Sequence, residues 1–187
     1  FLALFMLWIL DGEIFRSITG GNVAYELIRP ADLYAMWFVK NAAARLARAA
    51  LRCLPILFVA ALLPAPYGLT LPDSPQAFLL FLLTMALALG VVTSFCMLIY
   101  ISTFYTLNPM GVRVVATSMT ELLAGGLIPL PFMPDGLAKV LSWLPFASIS
   151  NAPLRIYSGD IAGAEAAGTM LLQAFWLVAL ALLGWWM

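Results

Sequence analysis

QAFLLFLLTMALALGVVTSFCMLIYISTFYT, residues Gln76–Thr106, runs for thirty-one residues without one charged side chain. A helix needs about 20 apolar residues to cross about 30 Å of hydrocarbon, so this stretch reads as a transmembrane helix with length to spare. The surplus predicts that it tilts, bends near Gly90 or protrudes from the bilayer. Composition agrees: of 187 residues 64% are hydrophobic and 10% charged, with a mean hydropathy of +1.02. Soluble domains carry about 25% charged residues. The expected fold class is an all-α integral membrane protein, a single transmembrane domain over residues 1–187.

Outward from that helix, three further segments are apolar enough to be spans: 46–64, 114–128 and 164–187. The first is entered through Arg45, Arg48 and Arg52, which share one helical stripe and whose long stems predict snorkelling to headgroups. The second follows a turn over Leu107–Arg113 and contains Glu121 and the pair Gly125-Gly126. Residues 1–10 are apolar but too short to cross a bilayer, so they read as the end of a truncated span in a piece of a longer protein.

The polar groups concentrate between residues 11 and 40, where Asp11, Glu13, Arg16, Glu26, Arg29 and Asp32 surround a Gly20-Gly21 breaker. A short helix is expected over Asn22–Ile28, and Pro30 disfavours helical geometry at Arg29. Under this topology Arg16, Arg29, Lys40, Arg45, Arg48, Arg52 and Arg113 fall on one side, leaving Lys139 and Arg155 on the other. The excess of basic residues makes the first side cytoplasmic.

Residues 129–160 are apolar but broken by Pro129, Pro131, Pro134, Pro145 and Pro153. Leu137, Val140, Leu141 and Leu144 predict a short amphipathic helix over Asp135–Leu144, with Asp135 as its N-cap, Pro145 ending it and Pro153 interrupting the segment after it. Such sequence fits a re-entrant or interfacial hairpin on the outer side.

Several chemistries are excluded. The chain has no histidine, which removes histidine general bases, Ser-His-Asp triads and HExxH zinc sites. Nine basic and nine acidic residues cancel, so nothing argues for nucleic acid. Cys53 and Cys96 lie in apolar runs and read as small hydrophobes. Lys40 and Lys139 are the only lysines, and neither follows a P-loop glycine pattern.

Two stretches carry a family resemblance. Ile18-Thr-Gly-Gly-Asn-Val-Ala-Tyr-Glu-Leu-Ile-Arg-Pro30 is similar to a cytoplasmic glycine, leucine and Arg-Pro pattern, and Gly125-Gly-Leu-Ile-Pro-Leu-Pro-Phe-Met-Pro134 with Trp143-Leu-Pro-Phe146 is similar to a pattern between the last two spans. Both belong to the permease subunits of type 2 ATP-binding-cassette (ABC) transporters, which the chain resembles over nearly its whole length, especially the bacterial ABC type 2 family transporter proteins. The resemblance implies an exporter-like bundle, six-helix in the full chain, with a re-entrant outer hairpin before the last span, in the bacterial plasma (inner) membrane as a multi-pass protein. It also implies that the chain is no enzyme. ATP and Mg would sit on a separate nucleotide-binding ATPase subunit, and a second permease subunit would complete the path among membrane lipids.

On that resemblance, residues 11–40 are a coupling segment in which Glu13, Arg16, Tyr25, Glu26 and Arg29 contact the ATPase; the other reading is a solvated loop whose charges fix topology. Glu121 is the acidic residue inside a span, facing a path, pairing with Arg52, Ser118 or Thr117, or wet near an interface. Gly125, Gly126, Pro129, Pro131 and Pro134 either end a helix or turn the chain back within the outer leaflet. Trp143, Pro145 and Phe146, with Met119 and Phe132, then belong to that hairpin and an apolar gate, or the aromatics are interfacial anchors. Ala42-Ala43-Ala44 and Gly163–Gly168 offer small-residue packing surfaces. The alternative to a permease is a non-transporting membrane scaffold or assembly subunit, and an intramembrane enzyme lacks an acid–base or metal constellation.

Overall fold

The computed structural model describes residues 10–62, 74–123 and 133–187, all helical or in connections, with no strand among them. The helices are α1 (Gly12–Thr19), α2 (Val23–Leu27), α3 (Leu33–Leu62), α4 (Pro75–Thr106), α5 (Pro109–Leu123), α6 (Asp135–Trp143), α7 (Pro145–Tyr157) and α8 (Gly163–Trp186). Two of them, α4 and α8, are long and apolar enough to cross a membrane.

The centre is α4, against which α1, α3, α5, α7 and α8 all pack. Its start is set by Ser74, whose hydroxyl accepts from Ala77 N–H at 3.1 Å, and by Pro75 in the first turn. Its hydroxyl side chains are satisfied within the helix: Thr84, Thr93 and Thr103 donate to the carbonyls of Leu80, Leu89 and Ile99 at 2.7–3.0 Å. An apolar helix can therefore bury these threonines without an external partner. Gly90 marks a close approach rather than a break, since the helix is continuous there and an added Cβ would lie 2.9 Å from a Leu177 methyl of α8.

The Leu107–Arg113 turn is shorter than expected. Leu107 ends α4 in the left-handed conformation at φ 53°, and Asn108 Oδ1 accepts from Gly111 N–H at 3.0 Å, so α5 starts already at Pro109. The asparagine cap and Pro109 at the first turn favour the earlier start.

Helix α3 also differs from expectation. It begins at Leu33, inside the segment read as external, and continues through Pro55 to Leu62. Trp37, Asn41, Arg45 and Ala49 recur every four residues and are all buried, forming the stripe that faces α4. Arg45 is 1% exposed, which overturns its expected snorkelling. Arg52 is exposed, and Arg48 is half-buried with its Nε donating to the Ala44 carbonyl at 2.9 Å.

At α6 the N-cap position is Pro134 and Asp135 is the first helical residue, so Asp135 is not the cap. Leu144 is extended between α6 and α7, with Pro145 in the first turn of α7. Pro153 does not interrupt: α7 runs through it from Pro145 to Tyr157. Gly159, at φ 75°, and the Arg155–Asp160 ion pair at 2.6 Å then turn the chain into α8. The expectations for residues 1–9, and for Gly125, Gly126, Pro129, Pro131 and Phe132, lie outside the described residues.

Candidate functional site

At one end of the bundle, α1 and α2 form a small platform on α3 and α4. Asp11 caps α1 by accepting from Glu13 N–H at 2.8 Å. Ile14, Phe15 and Ile18 turn one amphipathic face inward, and Phe15 meets the Tyr100 ring edge-on at 5.1 Å. Gly21, at φ 74°, supplies the left-handed residue that lets α2 start after so short a link.

Beneath the platform, α3 and α4 run antiparallel in strict register. Trp37 stacks on Phe104 at 6.1 Å, Asn41 Nδ2 donates to the Tyr100 hydroxyl at 2.9 Å, and Arg45 Nη2 donates to Cys96 Sγ at 2.9 Å. Each pair lies four residues further along α3 and four further back along α4. Arg45 Nε also donates to Asn41 Oδ1 at 2.8 Å, and the Tyr100 hydroxyl accepts from Asp11 N–H at 2.7 Å. A continuous buried chain of hydrogen bonds thus runs from the cap of α1 through Tyr100 and Asn41 to Arg45 and the Cys96 sulfur. Cys96 is more than a small hydrophobe, because it accepts a bond from a cation.

The residues expected to couple fall into two groups. Glu13 and Glu26 are engaged inside the chain: Glu13 Oε2 accepts from Lys40 Nζ at 2.9 Å, and Glu26 Oε2 accepts from Trp37 Nε1 at 2.6 Å. Asp11 adds a second carboxylate 3.4 Å from Lys40. The Glu13 hydrogen bond and the two negative charges hold the Lys40 ammonium above its ordinary pKa, against the opposing effect of partial burial. Arg16, Tyr25 and Arg29 are exposed, beside exposed Leu27 and Ile28; Tyr25 is 73% and Ile28 79% exposed. The outer surface of α2 and of the two residues after it is therefore aromatic, aliphatic and cationic.

The remaining expected residues lie elsewhere. Glu121 and Arg52 are both exposed, and among the described residues no ion pair joins them. Pro134 and Met119 are exposed, and Trp143 is 67% exposed. The Trp143 carbonyl accepts from Trp176 Nε1 of α8 at 2.9 Å. Pro145 is buried, and Phe146 packs edge-on against Phe95 at 5.1 Å, well along α4 from its Pro75 start. Among the described residues no group of three His, Cys, Asp or Glu is placed to hold a metal ion.

Sequence reasoning missed Asn41, Tyr100 and Trp37 and misread Arg45; Cys96 is the buried free thiol expected, with a hydrogen bond that the sequence did not show. The available signal was the matched spacing, Asn41 and Arg45 four apart in an alanine-rich run and Cys96 and Tyr100 four apart in an apolar one.

The family model for the ABC-2 family transporter protein matches residues 3–187. No curated protein and no solved structure matches the chain.

Proposed function

The chain belongs to the ABC-2 transporter family, and on that premise we propose that it is the permease subunit of an ABC exporter, driven by a separate ATPase. It is a membrane protein of helical build. Family membership implies an ABC ATPase partner in general. In our reading that partner binds ATP and Mg, this chain has no catalytic residue, and a second permease subunit, identical or similar, lines the other half of the path. The setting is the bacterial inner membrane, crossed several times by a bundle that is six-helix in the full chain.

The observation that carries the coupling role is the outward surface of α2 and the two residues that follow it. Tyr25, Leu27, Ile28 and Arg29 are exposed there, although α1 and α2 are themselves pinned to α3 and α4 by Tyr100, Trp37 and Lys40. An aromatic and an arginine on a rigid base suit a protein contact. ATP binding would close the ATPases and displace the platform, and the hydrogen-bonded register of α3 on α4 would carry that movement toward the middle of α4.

The outer hairpin reading draws support from Phe146 against Phe95 and from Trp176 against the Trp143 carbonyl. Both contacts lie well inside the lengths of α4 and α8, as expected for a hairpin that dips below its membrane surface. The test is co-purification of the full-length protein with a Walker-motif ATPase, followed by ATP turnover in proteoliposomes. Stable assembly with transport-linked turnover is the expected result. A chain that assembles with partners but never supports ATP-driven movement is a scaffold instead.

A further inference from the structure

At the far end of the bundle from α1 lies a cavity of about 510 Å³, between the last turns of α6 and α7 and the first turns of α8. Its charged lining residues gather at one end. On α8, Glu165, Thr169 and Leu172 lie on one helical face, and at 1.5 Å per residue Leu172 is about 10 Å further along the axis than Glu165. On α7, Arg155 stands near the turn into α8 and Asn151 one helical turn before it. Trp143, just ahead of α7, contributes at the level of Trp176, deeper still along α8. Both charged lining groups, the guanidinium and the carboxylate, thus stand at one end of the groove beside the buried Ile161, while Leu172 and the exposed Trp143 indole, with Ser142, line the other end.

The charges at the mouth do not cancel. Asp160 takes the Arg155 Nε at 2.6 Å, one of five N–H donors on the guanidinium. Glu165 is exposed, and its carboxylate makes no ion pair with a described residue. Two carboxylates face one arginine, so the mouth favours a ligand that brings a cation as well as an acceptor for the guanidinium. We propose that this groove binds a phospholipid with a zwitterionic amine headgroup. The ammonium pairs with Glu165, the phosphate accepts from Arg155, and an acyl chain runs along Leu172 and Trp143. The confinement of charge to one end of the groove commits the site to an amphiphile, since a soluble phosphate or amine would use only that end. The inference stands on the membrane setting alone and does not need the transport reading.

The test is native mass spectrometry of the full-length protein released from vesicles with equal phosphatidylethanolamine and phosphatidylglycerol. One phosphatidylethanolamine should be retained at about tenfold preference, the scale of one charge-assisted contact. Glu165→Gln should reduce that preference to near unity. Gly168→Leu should abolish retention by filling the groove at an unchanged melting temperature, since Gly168 lines it and an added Cβ there meets nothing within 4 Å. Millimolar phosphoethanolamine should displace nothing. Equal retention of both lipids by the unmodified protein, retention unchanged in both variants, or displacement by the soluble headgroup would each overturn the proposal.

Discussion

The Tyr100 hydroxyl lies 2.7 Å from the backbone nitrogen of Asp11, the residue that caps α1, so one phenol ties the start of the platform to the middle of the bundle. The same oxygen accepts from Asn41 Nδ2 at 2.9 Å and is fully buried. Tyr100→Phe removes the acceptor from two donors that have little access to water. The expected loss is about 1–3 kcal/mol of stability, read as a lower melting temperature in detergent. Tyr105→Phe is the control, because Tyr105 is exposed and its single bond to the Met187 carbonyl is 3.2 Å long. Equal effects of the two variants would show that the network bears no special weight.

Arg45 is the next member of that chain of bonds. Its guanidinium serves Asn41 and Cys96 together, and removing it leaves the Asn41 oxygen without that donor and a cavity where the longest buried side chain stood. Arg45→Ala should cost about 3 kcal/mol, combining a lost charge-assisted hydrogen bond with poorer packing. Arg45→Met, which fills the volume without the charge, should recover part of the loss. Melting curves of the two variants check this, and a methionine variant no better than alanine would assign the whole effect to the hydrogen bonds.

The all-helical class and the long apolar helices were legible in composition, because length and the lack of charge along Gln76–Thr106 suffice for them. The start of α3 was not. Lys40, Asn41 and Arg45 look like the polar lip of a span when read locally, yet the last two are buried because α4 presents Tyr100 and Cys96 in register. That pairing joins segments more than fifty residues apart, so the matched four-residue spacings reveal it only once the two helices are set side by side. The division of the acidic residues was hidden for the same reason. Glu26 resembles Arg29 as a solvated charge until Trp37 arrives from the next helix to bond it. Asp135 failed as a cap for a local cause, since Pro134 occupies the cap position one residue earlier.

The split between inward and outward residues predicts separable defects. Tyr25→Ala and Arg29→Glu change exposed groups and should leave the melting temperature within about 1 °C, as expected for surface changes below about 0.5 kcal/mol. Both should weaken ATPase retention, by roughly 2 kcal/mol if they sit at the centre of the contact. Glu26→Ala should do the reverse, lowering stability by about 1 kcal/mol through the lost Trp37 bond while retaining the ATPase. Pull-down and melting measurements on one set of samples decide it. Retention lost in Glu26→Ala alone would reverse the assignment.

Close packing at the platform end of α8 depends on a missing side chain. A Cβ added at Gly184 would stand 3.0 Å from the ring and hydroxyl of Tyr34, and a tyrosine ring gives way less readily than an aliphatic tip. Gly184→Val should therefore destabilise by about 1–3 kcal/mol through overpacking. Gly184→Val should cost less in a Tyr34→Ala background than in the wild type, and an equal cost in both backgrounds would show that the two residues do not compete for space.

Lys40 supplies a pH test of the platform. Its ammonium has partners in the folded chain, Glu13 at 2.9 Å and Asp11 at 3.4 Å, which raise its pKa above the ordinary 10.5. A cationic group whose folded pKa is raised contributes its full stabilisation below the unfolded value and loses it as pH rises through the folded one. The platform should thus be insensitive to this group at neutral pH and loosen above about pH 10.5. The side chain is 46% exposed, so solvent screens the pairing and the contribution is at most about 1 kcal/mol. High pH acts on the rest of the chain as well, so the informative quantity is the difference between the wild type and Lys40→Met. Amide exchange of α1 should be slower in the wild type than in Lys40→Met at pH 8, and the two should converge as the pH rises through the raised pKa of Lys40. The same convergence at pH 8 in 1 M salt would identify the effect as electrostatic, whereas a gap that survives both salt and high pH would assign it to packing of the lysine stem.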